Sequence, residues 1–341
     1  MPLPFDAPAQ RWLHAAARAA DWLEERLDGH GRLAAPLHDL GSYYKWPLFL
    51  WALGRGETAR RLFAVLVEDF LTAAGDWRTG QAKSADPLYG LIADSYTNTW
   101  PIVAARVLER PEIGRRGLEC LRGRRVACTG GFLTGHPGQH ADRRQDIVTV
   151  AGCGNAFLAW DGVEEASGAG DCLLAVLEQR RGPAGEFRLY VDAEGRPLAG
   201  LGIPEHLERI RPDLPGQAYV YLGMAAVFLA RLHAVTAEAR FLAGARGYFA
   251  LNQACGPAVY QGIGCCKTGW AASVLYRLTG EEEYRQSVHR AAAQILAAQQ
   301  PAGDWATPER SAPLNCDVTG EMGYHLTQYC LELAGGAQQW S

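Results

Sequence analysis

The chain has 341 residues, 48% of them apolar and 21% charged, a balance that excludes extended disorder and supports a sizeable buried core. Its formal charge is −4, with 33 Lys and Arg interspersed among 37 Asp and Glu; this excludes an electrostatic attraction to nucleic acid or to an anionic membrane and leaves a small molecule as the expected partner. Nine cysteines, an odd number lying mostly in helical patterns, read as free thiols in a reducing cytoplasm. The amino terminus shows no basic segment followed by an apolar run, so no signal peptide is expected. No uninterrupted apolar stretch nears the length of a spanning helix.

Apolar spacing predicts twelve helices, near 9–28, 42–54, 57–74, 88–108, 111–122, 146–161, 163–180, 215–234, 236–252, 261–279, 281–299 and 317–334. The one strand-like run is Phe187 to Val191, with a turn signal after it. A turn signature punctuates the helices: Gly75-Asp76-Trp77, Gly130-Gly131-Phe132, Gly185-Glu186-Phe187 and Gly303-Asp304-Trp305. The first three copies are 55 residues apart, which marks an array of alike units. Helices before the turns are charged on one face, as in Glu281 to Arg290. Those after them are rich in Gly, Ala and aromatics, as in Asp317 to His325. The first kind suits the outside of an assembly and the second the inside. Six such pairs without polar caps predict an all-α, closed (α/α)6 toroid of six helical hairpins, a single domain over 1–341.

Arg290-Ala-Ala-Ala-Gln-Ile-Leu-Ala-Ala-Gln-Gln-Pro-Ala-Gly-Asp-Trp305 resembles the QW repeat of squalene–hopene-type terpenoid cyclases, whose α/α toroid fold is shared with protein prenyltransferase β subunits. The resemblance implies that fold and a cyclase-like function, but the Asp-x-Asp-Asp and Asp-rich initiating motifs of terpene cyclases are missing. In the prenyltransferases zinc is held by an Asp, a Cys two residues on and a distant His. Cys266 and His325 match the last two, whereas Gly264 stands where the Asp belongs. A zinc ion at Cys265, Cys266 and His325 would need Cys265 as a replacement ligand. The expectation is no metal and no cofactor, since nucleotide and nucleophile-elbow motifs are absent as well.

In a toroid, polar groups at the starts of the inner helices converge on a funnel. The candidate acid/base groups are Asp39, Tyr44, Asp94, Asp146, Lys267, Glu321 and His325. Asp94 reads as a carboxyl inside an apolar helix. Glu321 shares a helix face with Asp317 and His325 by i, i+4 spacing, and Lys267 is the expected counter-ion of Asp94 or Glu321. Asp39, Asp146 and Asp317 also sit where helix N-caps belong. The expected substrate-binding wall is Tyr43, Trp46, Tyr89, Tyr96, Trp100, Cys153, Tyr219, Cys266, Trp270 and Tyr324. His136 and His140 fall in a Gly/Pro-rich loop. Because the inner helices are poor in Arg and Gln, the favoured function is a cofactor-independent lyase or isomerase of cyclase type, acting on an apolar small molecule such as a terpenoid or polyketide in natural-product biosynthesis. The alternatives are a carbohydrate-active enzyme of six-hairpin type and a protein that only binds an apolar ligand.

Overall fold

The computed structural model describes residues 6–179 and 185–335. Among them are fourteen α-helices: α1 Ala7–Glu24, α2 Trp46–Ala52, α3 Gly56–Val65, α4 Leu88–Ile92, α5 Asp94–Val107, α6 Pro111–Arg122, α7 Ile147–Leu158, α8 Val163–Glu178, α9 Glu205–Glu208, α10 Tyr219–Thr236, α11 Ala239–Ala254, α12 Cys266–Thr279, α13 Glu282–Ala298 and α14 Ala312–Leu333. Removing the short α4 and α9 leaves the twelve predicted segments. The final residue of the predicted 163–180 helix lies outside the described residues. Helix α10 is long and apolar enough to cross a membrane by length and composition, and 67% of it is buried within the protein.

Three of the boundaries that differ from expectation have clear local reasons. The predicted 57–74 helix loosens into a π turn over Leu66–Phe70, where wider hydrogen-bonded rings take over from α3. The predicted 88–108 helix is cut at Ala93 because the Ser95 amide donates to the Thr134 carbonyl at 3.0 Å instead of to the helix ladder. Helix α14 starts five residues early: Ser311 caps it by accepting from the Leu314 amide, and Pro313 sits in its first turn, where its missing N–H costs nothing.

The residues form two compact units. Among the described residues, one comprises 6–90, 97–120 and 295–335; the other comprises 91–96, 121–179 and 185–294. In the second, the apolar α10 packs on α7 and α12, while α8 and α11 pack on each other and on α10, which makes an inner and an outer layer. Four two-residue strands belong to this unit. Gln145–Asp146 (β1) pairs with Tyr190–Val191 (β3), and Phe187–Arg188 (β2) pairs with Arg209–Ile210 (β4), all antiparallel. The run 187–191 is thus split between two distant partners. In the first unit α14 packs on α1 and α2, and α2 on α3. Gly320 and Gly323 of α14 abut the rings of Trp46 and Phe49, so closely that a Cβ at either would lie 2.9 or 2.4 Å from ring carbons.

The repeated turn now has a physical explanation. Gly75, Gly130 and Gly303 all have φ between +75° and +100°, and a Cβ there would stand 2.3, 2.6 and 2.6 Å from the carbonyl oxygens of Arg116, Gly168 and Arg18. Each turn therefore needs glycine twice, once for its left-handed backbone and once for backbone contact with a neighbouring outer helix. The aromatic two residues on, Trp77, Phe132 or Trp305, is fully buried. At the last turn Gln299 Nε2 donates to the Ala15 carbonyl at 2.9 Å and Arg18 donates to the Gln300 carbonyl at 2.8 Å, fastening the turn after α13 to α1. Gly185 has φ +73° but nothing within 4 Å of a Cβ. Gly303→Ala is expected to cost on the order of 2 kcal/mol or more in denaturant unfolding, and Gly185→Ala clearly less, because only the former adds a backbone clash to the strain.

Candidate active site

The first unit assembles a charged array from three chain segments. Asp39 caps a single 3-10 turn at Leu40–Ser42: its Oδ1 accepts from the Gly41 amide and its Oδ2 from the Ala85 amide, each at 2.8 Å. Both oxygens of Asp39 are thereby used in holding the turn that presents Tyr44 and Lys45. Lys45 is buried, and its Nζ lies 2.8 Å from Asp317 Oδ1 and 3.0 Å from Glu321 Oε2. The ammonium also faces the rings of Tyr44 and Trp100, 5.1 and 5.4 Å from their centroids. A lysine between two carboxylates and two aromatic faces has partners for its charge, which compensates part of the cost of burying it.

Asp317 is the hub. Its Oδ2 accepts from the Tyr44 phenol at 3.0 Å and the Tyr89 phenol at 2.7 Å, while Lys45 takes Oδ1. Burial raises its carboxyl above the ordinary range and the Glu321 charge adds to this, against the opposing pull of Lys45. Tyr89, which reaches across Gly41, is raised well above a normal phenol by burial and by the adjoining Asp317 charge, so it remains a donor. One turn on, Glu321 Oε1 lies 3.6 Å from His325 Nε2. Asp317, Glu321 and His325 thus follow one face of α14, and Tyr324 meets Trp100 edge to face at 5.1 Å between centroids. Of the charged side chains Glu321 is the most open, at 12% exposure against 6% for Asp317, 3% for Lys45 and 0% for His325.

Sequence reasoning did not select Lys45, and it left Asp317 between a helix cap and a site residue. Lys45 lies at an irregular helix entrance, where periodicity says nothing about direction. Asp317 changed meaning once α14 was seen to begin at Ala312, more than a turn before it. Glu321 has a cation that the sequence did not point to, Lys45. Two residues of the expected substrate wall are core. Tyr43 accepts from the Leu33 amide and packs on His38 and Phe70. Trp46 stacks on Trp22 and donates to the Cys316 carbonyl.

The second unit holds its own polar chain. Asp94 is in the first turn of α5, not mid-helix, and it has a cation in Arg124: Arg124 Nη1 donates to Asp94 Oδ1 at 2.6 Å and to Ser95 Oγ at 2.8 Å. Asp146 caps α7 through the Thr149 amide and accepts from Thr134 Oγ1, both at 2.8 Å; burial raises its carboxyl. The phenols of Tyr190 and Tyr221 meet at 3.3 Å. Lys267 Nζ stands 5.1 Å from the Tyr96 ring, and Arg231 covers Trp270. Tyr219 donates to the Leu214 carbonyl, and Cys153 and Cys266 are buried within α7 and at the start of α12. Cys265, which a zinc site would need as a thiolate, donates to the Ala291 carbonyl at 3.7 Å, and burial pushes its thiol up to about 12.

No protein-family profile and no curated protein matches the chain. Solved structures do match in fold. A D-mannose isomerase superposes with a TM-score of 0.68 at 13% identity, over 98% of this chain and all of the other. The cellobiose 2-epimerase of Spirochaeta thermophila gives 0.65 at 14% identity over 96% of each chain. The GH76 α-mannanase of Bacteroides thetaiotaomicron gives 0.63 at 9% identity, over 93% of this chain and 96% of its own. These likenesses show the fold, that of the α/α toroids. None of these three is a terpenoid cyclase, and the expected cyclase acting on an apolar terpenoid or polyketide is overturned: these proteins are named for sugars, and the best-defined array in the first unit is charged.

Proposed function

We propose that the protein is a carbohydrate-active enzyme that isomerises or 2-epimerises a sugar with a free reducing end by proton transfer. The observation that supports this reading is the array of Lys45 with Asp317, Glu321 and His325 on one helix face, ringed by the phenols of Tyr44 and Tyr89. Glu321, the most open member, removes the proton on C2 of the open-chain aldose; the C–H electron pair moves into an enediolate. The Lys45 ammonium faces the developing oxyanion, a charge present only along the reaction path. His325 is the second proton carrier, within reach of Glu321 on the same side, and returns a proton to C1 while the O2 proton passes to O1 for isomerisation; for epimerisation the enediolate must turn its other face to the pair before C2 is reprotonated. Likeness in fold to a D-mannose isomerase and a cellobiose 2-epimerase supports the substrate class.

Hydrolysis is the weaker reading. Glycosidases set two carboxyl groups on opposite sides of the scissile bond. Here Asp317 and Glu321 lie one turn apart on the same helix and share one ammonium, so they approach from one side. Incubation with D-mannose, D-glucose and cellobiose in D2O, followed by NMR, is the test. Deuterium entering C2 or C1 with formation of the ketose or 2-epimer is the expected result. Release of new reducing ends from α-1,6-mannooligosaccharides without any such exchange would replace the proposal with a hydrolase.

A further inference from the structure

We propose that Asp317 is a positioning residue for this reaction, which as the anion gathers Tyr44, Tyr89 and Lys45 and so holds the ammonium against Glu321. The inference rests on the proton-transfer reading above. Its basis is convergence: three donors from two segments far away in sequence end on a single buried carboxylate, and none of them is a neighbour on its own helix. Lys45 lies against two carboxylates, of which Asp317 is the more deeply buried, at 6% exposure against 12% for Glu321. If Asp317 were merely the cheapest way to neutralise a lysine, Glu321 alone would balance the charge, and two phenols aimed at the same Oδ2 would serve no purpose.

The groups facing Asp317 are Lys45 and Tyr44 from the entrance to α2, Tyr89 from α4, and Glu321 and Cys316 on its own helix; Asp86 acts on Tyr89. Each phenol stabilises the anion. Removing one therefore makes Asp317 take up a proton at higher pH, and its hold on Lys45 is lost there. The acidic limb of the kcat–pH profile follows Asp317 in this scheme.

The experiment measures kcat and KM against pH for the wild type, Tyr89→Phe, Asp317→Asn and the double variant, with thermal unfolding of each as a control. Tyr89→Phe is expected to move the acidic limb of kcat upward by roughly one pH unit, with KM changed less than about twofold. Asp317→Asn should lower kcat roughly 10- to 100-fold at comparable KM, and Tyr89→Phe added to it should move the limb no further. Exchange in the wild type with an unmoved limb in Tyr89→Phe, or with an equal shift in the Asp317→Asn background, overturns the positioning role alone. Absence of exchange in the wild type overturns the reaction on which it rests.

Discussion

Glu321→Gln is expected to lower kcat by about 10³-fold, within the range removed with a general acid or base, while the protein stays folded. Glutamine keeps the shape of the side chain and leaves Lys45 paired with Asp317, so the array loses its base without losing its geometry. KM should change little, because the lost interaction matters as the C2 proton departs and not when the sugar binds. Deuterium exchange followed at saturating sugar reads the effect directly. Retention of full exchange would remove Glu321 from the base role and transfer it to His325, the neighbouring group on the same face.

Lys45→Met is expected to be the most destabilising single change, costing about 3–5 kcal/mol at neutral pH, in addition to abolishing turnover. It leaves Asp317 and Glu321 buried with no cation between them, and like charges in a low dielectric drive one of the pair to bind a proton. The sign of the pH dependence follows. Without Lys45 the folded carboxyls titrate above their unfolded values, so the folded state holds more protons than the unfolded one, and stability falls as pH rises from about 4 through the raised folded pKa. The variant should therefore lie closer to wild type at pH 5 than at pH 8 in denaturant midpoint. A deficit that does not change with pH would show that Lys45 contributes packing only, through its contacts with Tyr44 and Trp100.

These two residues also show where sequence reasoning reached and where it stopped. Glu321 and His325 were legible because both lie on one helix at i, i+4, a spacing that fixes their neighbourhood without any tertiary information. Lys45 was not. Its partners are more than 270 residues away, and the turn that aims it is built by Asp39, Thr79 and Ala85. The same holds for Asp94, whose cation Arg124 follows the end of α6 and belongs to no apolar pattern. The substrate class was misjudged for a related reason: the inner helices are apolar over most of their length, and the polar groups come from helix entrances and from a few positions on α14.

By itself the sequence determined the helices, their pairing and the turns between them. Helical periodicity, capping and left-handed glycine are properties of a few adjacent residues, and Gly75, Gly130 and Gly303 signal both a backbone conformation and a close approach. Tertiary structure alone decided which charge neutralises which, that Asp317 is a hub and not a cap, and that Tyr43 and Trp46 belong to the core. The physical reason is that a buried charge is tolerated only beside its counter-charge, and that pairing is settled by where the packed helices bring distant segments together, which spacing along the chain does not encode.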